Sequence, residues 1–398
     1  MFNHRLLLLT ETFPPEIGGI QQYLSSLFSA LPSDTSIVIA PEHPHAVPWD
    51  TQQPYRIVRT AMRGLAYPRW RPALTTLRRV VAEFQPEVIV CGKALFEGRA
   101  VLALQTEQRR SSPTPYSLHP TPYVVMTYAM ELQTWMSHWK TRRDLLRVLQ
   151  NAARIVVINA QAKRLLIDRG IPEQRMVKIY PGVAAAFFEE VAHVDDFRRQ
   201  HGLPGKRVIV SVARLVPRKG IDTVLRVLPD VRTAIPNLVY AVVGDGPERL
   251  RLQRLAEELG IADSVRFLGA VPPDDLRRAL RAADCFVLTP REIGGEVEGF
   301  GIVYLEAAAA GLTSIGSRSG GVPEAVLDHE TGILVAPDNP QETAAAIRRL
   351  LQDDALRARL ASHAHARAQQ EFSWPRRALL FRGMIEAIVQ EQAKGHGA

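Results

Sequence analysis

Twice along its length this chain repeats one pattern: a short apolar run, a turn, then a stretch whose apolar residues recur at helical spacing. In the first half the runs fall at 6–10, 36–40, 55–59, 88–91, 123–127, 155–159 and 177–180. Helical patterns over 20–31, 72–84, 99–109, 141–153 and 160–169 lie between some of them. From 205 the plan begins again, with strands expected at 208–212, 238–243, 265–268, 285–289 and 313–315 and helices at 221–228, 249–259, 274–282 and 304–310. Strands that alternate with helices form parallel sheets covered on both faces, so the expected class is α/β with two doubly wound units.

A chain of 398 residues is too long for one ordinary core, which agrees with two units. We place the first at 1–183, a linker at 184–204 where strand pattern lapses, and the second at 205–372. Helices at 341–351, 354–370 and 374–390 close the chain, and the break at Phe372-Ser373-Trp374-Pro375 sets off 373–398 as a final helix crossing back to the first unit. The four-leucine run Leu6 to Leu9 is followed at once by Glu11 and reads as a first strand rather than a leader. No run approaches the ~20 apolar residues of a membrane span. The two cysteines, Cys91 and Cys285, lie far apart in apolar strands, as buried thiols of a reducing cytoplasm would.

The formal charge of +8 is unevenly spread. Between Thr51 and Ala82 stand seven arginines, at 56, 59, 63, 69, 71, 78 and 79, and no acid. With Trp70, Leu74, Leu77, Val80, Val81 and Phe84 beside them, the stretch from Arg56 to Phe84 can rest on an anionic membrane surface or be an arginine-rich solvated helix face. Nucleic acid is a poor fit, because the aromatics are not interleaved as stacking platforms.

The chemistry gathers around Glu298-Gly299-Phe300-Gly301-Ile302-Val303-Tyr304-Leu305-Glu306, two carboxylates about a glycine turn and a helix start. Glycine lets backbone approach a ligand, and a helix start offers amides to an anion. Alone, such a pair reads first as two surface glutamates, one of them favourable near a helix start. Arg214 and Lys219 stand in the first turn of the second unit, where a doubly wound sheet binds its ligand, and with the helix start they suit a diphosphate. Glu306 has two acceptor oxygens for ribose hydroxyls, and Glu298 can hold those of a sugar. The early Gly18-Gly19 turn sits likewise after the first strand.

Six segments, Pro14-Pro15-x-x-Gly18-Gly19, Val212-x-Arg214-Leu215-x-x-x-Lys219-Gly220, Val243-Gly244-Asp245-Gly246-Pro247, Glu298 with Glu306, Ser319-Gly320-Gly321-Val322-Pro323-Glu324 and Phe372-Ser373-Trp374, resemble in order the motifs of the retaining glycosyltransferases of family 4. Together they cover nearly the whole chain, and the wording is similar to bacterial mannosyltransferases that act on phosphatidylinositol mannosides. The resemblance implies a GT-B fold, two facing Rossmann-like domains with the donor crevice between them and the acceptor on the N-terminal side. It implies that Arg214 and Lys219 bind the donor diphosphate, with a catalytic role shared by Glu298. Glu306 would hold the ribose, and Glu298 with the backbone of Phe300, Gly301 and Ile302 the transferred sugar. Gly18 and Gly19 would close on the diphosphate, and the base would lie against Gly269 and Val271.

The implied reaction moves a hexosyl unit, mannose or glucose, from GDP-mannose or UDP-glucose to a lipid or glycan acceptor. The implied protein is cytoplasmic, or peripheral at the inner face of the membrane. No Asp-x-Asp metal signature is present, so no cofactor and metal independence are expected. One departure stands out: where many family members carry His-Gly-x-Glu, this chain has Tyr128-Ala129-Met130-Glu131. Tyr128 and Glu131 remain candidate sugar or acceptor contacts. The departure keeps two alternatives open, a catalytically weak nucleotide-sugar-binding subunit and another GT-B enzyme such as a sugar-nucleotide epimerase.

Overall fold

The computed structural model describes residues 2–62, 71–111 and 120–395. They divide into two compact units, one running to Gly182 and rejoined by the chain from Trp374 onward, the other spanning Val183–Ser373.

The first unit opens β1 (Leu6–Leu9), α1 (Gly19–Ser29), β2 (Ser36–Pro41), α2 (Ala46–Asp50), β3 (Arg56–Thr60), α3 (Arg71–Phe84) and β4 (Val88–Cys91). It continues α4 (Phe96–Ser111), β5 (Tyr123–Thr127), α5 (Ala129–Ser137), α6 (Trp139–Asn151), β6 (Arg154–Val157), α7 (Ala160–Ile167) and β7 (Met176–Lys178). Its strands pair in parallel in the order β3-β2-β1-β4-β5-β6-β7. Helices cover both faces, so the inner strands carry apolar side chains toward each, and Leu6 to Leu9 and Val88 to Cys91 are all fully buried.

The second unit begins with α8 (Val194–Gln200), then β8 (Arg207–Val212), α9 (Ile221–Ala234), β9 (Leu238–Val243), α10 (Arg249–Glu258), β10 (Val265–Gly269) and α11 (Pro273–Arg281). It proceeds through β11 (Cys285–Val287), α12 (Ile302–Ala309), β12 (Ser314–Ser317), α13 (Val322–Ala325), β13 (Gly332–Val335), α14 (Pro340–Gln352) and α15 (Asp354–Glu371). Its sheet is also parallel, in the order β10-β9-β8-β11-β12-β13. Where α12 crosses α15 the contact is made by Ala308, Ala364 and Ala368, small side chains that let the two backbones approach.

The final helix, α16 (Trp374–Gly395), lies on the core of the first unit. Trp374, Phe381, Ile385 and Ile388 pack with Tyr23, Leu24, Leu27 and Phe28 of α1, the Phe28 and Phe381 rings 6.2 Å apart.

Three differences from the sequence reading have physical causes. Residues 184–204, expected as a linker, belong to the second unit. Arg277 and Arg278 of α11 donate to the carbonyls of Ala186 and Ala192 at 2.8 and 3.0 Å, and Phe197 of α8 is buried. Helix α9 runs six residues past Leu228 despite Pro229, because buried Val231 keeps its apolar face on the core. Strand β13 went unread, being four residues long and opening on a glycine.

The arginine-rich stretch is largely engaged within the first unit. Arg59 pairs with Asp50 and donates to the Pro14 and Pro41 carbonyls, Arg78 pairs with Glu107, and Arg56 and Arg79 approach Glu83. Arg63, Arg69 and Trp70 lie outside the described residues, as does most of the proline-rich loop at 111–122.

Candidate active site

The second sheet reverses its strand order between β8 and β11. In a doubly wound sheet the crevice outside the carboxyl ends of such strands is where ligands bind. Loops from five strands converge there. After β8 the chain passes Arg214 and turns through Pro217–Lys219 before α9. That loop is tied to the one after β9, since Leu215 N–H donates to the Asp245 carbonyl at 2.9 Å and Glu248 N–H to the Leu215 carbonyl at 3.1 Å. Gly269, closing β10, accepts from Gly244 N–H at 2.7 Å. After β11 the chain runs through Arg291, whose N–H bonds the Arg218 carbonyl at 2.9 Å, and on to Glu298. The loop after β12 supports Glu298 from behind, Gly321 N–H donating to its carbonyl at 2.9 Å.

Two glycines are required by this packing. At Gly320, φ is +56° and a Cβ would come within 2.1 Å of the Glu298 carbonyl oxygen. Gly301, at φ +85°, caps α12, and a Cβ there would strike the Tyr304 ring at 2.5 Å. The Gly-Gly and Gly-Phe-Gly spellings thus hold the Glu298 backbone against its neighbours.

Electrostatically the crevice is a cluster of cations around one buried carboxylate. Lys219 Nζ donates to Glu298 Oε2, and Arg218 Nη1 reaches the same oxygen at 3.3 Å. Arg218 Nε also lies 3.5 Å from Glu296. Burial of Glu298, 8% exposed, opposes ionisation, but the Lys219 ammonium and Arg218 guanidinium outweigh it and hold the carboxyl below its usual range. Arg214 is exposed, and its guanidinium engages no acid among the described residues. Helix α12 begins at Ile302, so its first amides lie at the same edge. Glu306 is buried one turn further along that helix. Fixed cations and helix amides suit a phosphate chain, and buried carboxylates behind them suit hydroxyl groups.

The structure therefore brings Arg214, Lys219, Glu298, Phe300, Gly301, Ile302, Glu306, Gly269 and Val271 to one edge of the second sheet. The Phe300 ring is core, 5.8 Å from Phe372. Gly18 and Gly19 begin α1 on the first unit, and Tyr128 and Glu131 stand at the start of its α5. The Tyr128 hydroxyl is sealed from solvent, its ring edge-on to Tyr23 at 6.4 Å.

The sequence reading missed Arg218 and Arg291. Arg218 adjoins Lys219, and only the fold shows that both point at Glu298. Arg291 joins the β11 loop to Asp222 at the start of α9, at 3.0 Å, and to Asp338 at 2.7 Å. Among the described residues no group of three or more His, Cys, Asp or Glu is arranged to hold a metal ion.

Two parallel doubly wound units with a ligand edge of this kind are the GT-B architecture, and solved structures agree on the fold. Anabaena Alr3699/HepE in complex with UDP matches with a TM-score of 0.76 over 98% of this chain and 99% of that one, at 20% identity. Sucrose-phosphate synthase from Thermosynechococcus elongatus matches at 0.75 over 97% and 100%, at 22% identity. Residues 17–187 match the family model described as Glycosyltransferase Family 4, and residues 193–367 that described as Glycosyl transferases group 1. The GDP-mannose-dependent alpha-(1-6)-phosphatidylinositol monomannoside mannosyltransferase of Mycolicibacterium smegmatis is 32% identical over 87% of this chain and 89% of its own. A D-inositol 3-phosphate glycosyltransferase of Acidothermus cellulolyticus is 36% identical over 57% of this chain and 51% of its own. The chain belongs to glycosyltransferase family 4.

Proposed function

We propose that this glycosyltransferase moves a mannosyl unit from GDP-mannose, with retention of anomeric configuration, to a hydroxyl of an inositol-containing glycolipid. The observation that carries the reading is the pairing of Arg218 and Lys219 with buried Glu298 at the strand-order reversal of the second sheet, with exposed Arg214 in the same loop after β8. The mannosyltransferase relative, similar over most of both chains, supports the choice of donor and acceptor class.

Cleaving a glycosyl–phosphate bond leaves the electron pair, and so growing negative charge, on the departing diphosphate. Fixed cations stabilise that charge more in the transition state than in the ground state. Arg214 and Lys219 do so here, with Arg218 joining Lys219 on the same Glu298 oxygen and keeping that carboxylate ionised. Glu298 accepts hydroxyl hydrogens of the sugar, and Glu306 those of the ribose. The acceptor hydroxyl attacks on the face the diphosphate leaves and passes its proton to the leaving phosphate oxygen. No side chain is assigned as general base. The protein cations supply the neutralising charge, so the reaction runs without a metal.

The test is incubation of the purified protein with GDP-mannose and a phosphatidylinositol monomannoside, with chelator present, and analysis of the product by mass and anomeric NMR coupling. One added hexose in α linkage is expected. An inverted anomer, dependence on added metal, or no transfer from GDP-mannose while another sugar nucleotide reacts would each overturn part of the reading.

A further inference from the structure

The first sheet has its own reversal of strand order, between β1 and β4, and the side chains at that carboxyl edge differ in kind from those of the second. Lys93, just past β4, donates to Glu11, just past β1, at 3.0 Å. Their side chains remain 18% and 15% exposed, so both reach solvent at the edge. Behind them stand two more carboxyls. Glu97, fully buried, accepts the Glu11 N–H at 2.9 Å, and Glu131 accepts the N–H of Ala94, next to Lys93, at 3.0 Å.

Glu97 uses one oxygen to fix the backbone of Glu11, and Glu131 one to fix that of Ala94 beside Lys93. The other oxygen of each is sealed from solvent with no hydrogen-bond partner among the described residues, as are the Tyr128 hydroxyl and Thr12 Oγ1 of the same edge. Buried polar atoms are seldom left so, and four of them behind one edge set it apart from an ordinary packed core. Burial and the neighbouring acids push Glu97 well above the usual carboxylate range and Glu131 up to about 8, so the cluster sheds charge by holding protons.

We propose that the Lys93–Glu11 pair is a binding site for adjacent hydroxyls of a neutral ring, a cyclitol or hexose, with Glu97 and Glu131 as positioning residues. A donor and an acceptor side by side match two neighbouring hydroxyls, the carboxylate accepting from one and the ammonium donating to the other. A phosphate monoester is the wrong partner, because one ammonium among three carboxyls offers a dianion no net attraction. The carboxyls do not form a metal site either. The inference rests on the proposed transfer reaction for its biological meaning, as the site of the hydroxyl-bearing acceptor, but its chemistry stands on the first unit alone.

Saturation-transfer NMR on the whole protein tests it, with myo-inositol and a myo-inositol monophosphate as probes, on the parent, Lys93→Met, Glu11→Gln and Lys219→Ala. The expected result is binding of the neutral cyclitol to the parent and to Lys219→Ala, at least about tenfold weaker binding of the phosphate, and loss of the signal in Lys93→Met and Glu11→Gln. Circular dichroism shows whether those two variants, altered at partly exposed positions, remain folded. Equal or tighter binding of the phosphate overturns the proposal, as does cyclitol binding that survives both first-unit substitutions, or no binding of either probe. Nucleotide binding measured on the same samples separates the two readings. Nucleotide without cyclitol refutes this inference alone, and cyclitol without nucleotide refutes the donor reading alone.

Discussion

Glu298, in a loop, and Glu131, in the first turn of α5, are both desolvated carboxyls, and their surroundings drive them in opposite directions. Two cations hold Glu298 ionised, whereas Glu131, desolvated and beside other acids, is raised from 4.5 to about 8. For Glu131 the folded chain binds more protons than the unfolded one between those values. Its stabilising share is therefore complete below about pH 4.5 and is lost as pH rises toward 8. Urea midpoints of the parent should fall across that window, and in Glu131→Gln, which keeps an acceptor for the Ala94 N–H, they should fall less. Identical slopes would remove Glu131 as the source. Gly320→Ala makes a second case. The left-handed backbone alone costs about 1–2 kcal/mol in a non-glycine residue, and the contact with the Glu298 carbonyl adds to it. A lower urea midpoint and weaker donor binding are expected together, and an unchanged midpoint would show that the loop yields freely.

The alternation of strand and helix was legible because parallel strands covered on both faces must be short apolar runs, and buried helix faces must repeat at helical spacing. What escaped were elements with weak versions of those signals. Helix α8 is seven mostly polar residues, held to the end of α11 by Arg198, which donates to the Ala282 carbonyl 84 positions away. That Arg214, Lys219, Glu298 and Glu306 share one edge of the second sheet was readable because they come in recognisable wording. The first-unit cluster was not, since Glu11, Lys93 and Glu97 meet only when β1 pairs with β4, and 82 and 86 positions separate the partners. Arg291 shows the same limit, its two acids lying on other elements. Replacing it by alanine leaves half-buried Asp222 without its closest cation and should cost about 2 kcal/mol. Because Arg291 also bonds the Arg218 carbonyl through its own N–H, which alanine keeps, donor affinity should weaken less than in Lys219→Ala. Calorimetric titration with the nucleotide checks the order, and a larger loss in the arginine variant would contradict it.

Across the molecule one architecture appears twice with different chemistry at its ligand edge. The second sheet presents cations around an ionised carboxylate, suited to a phosphate chain, and the first presents carboxyls around a single lysine, suited to uncharged hydroxyls. Such a division suits a transfer between a charged donor and a neutral acceptor group. Its central claim is that the Lys219–Glu298 edge holds a nucleoside diphosphate sugar, and thermal unfolding with GDP-mannose, UDP-glucose and ADP-glucose tests it most directly. A donor at about 100 times its dissociation constant adds roughly 2.7 kcal/mol to the folded state. The account predicts that shift for GDP-mannose in the parent and in Lys93→Met, and its loss in Lys219→Ala. A shift retained in Lys219→Ala, or no shift with any donor, would contradict it.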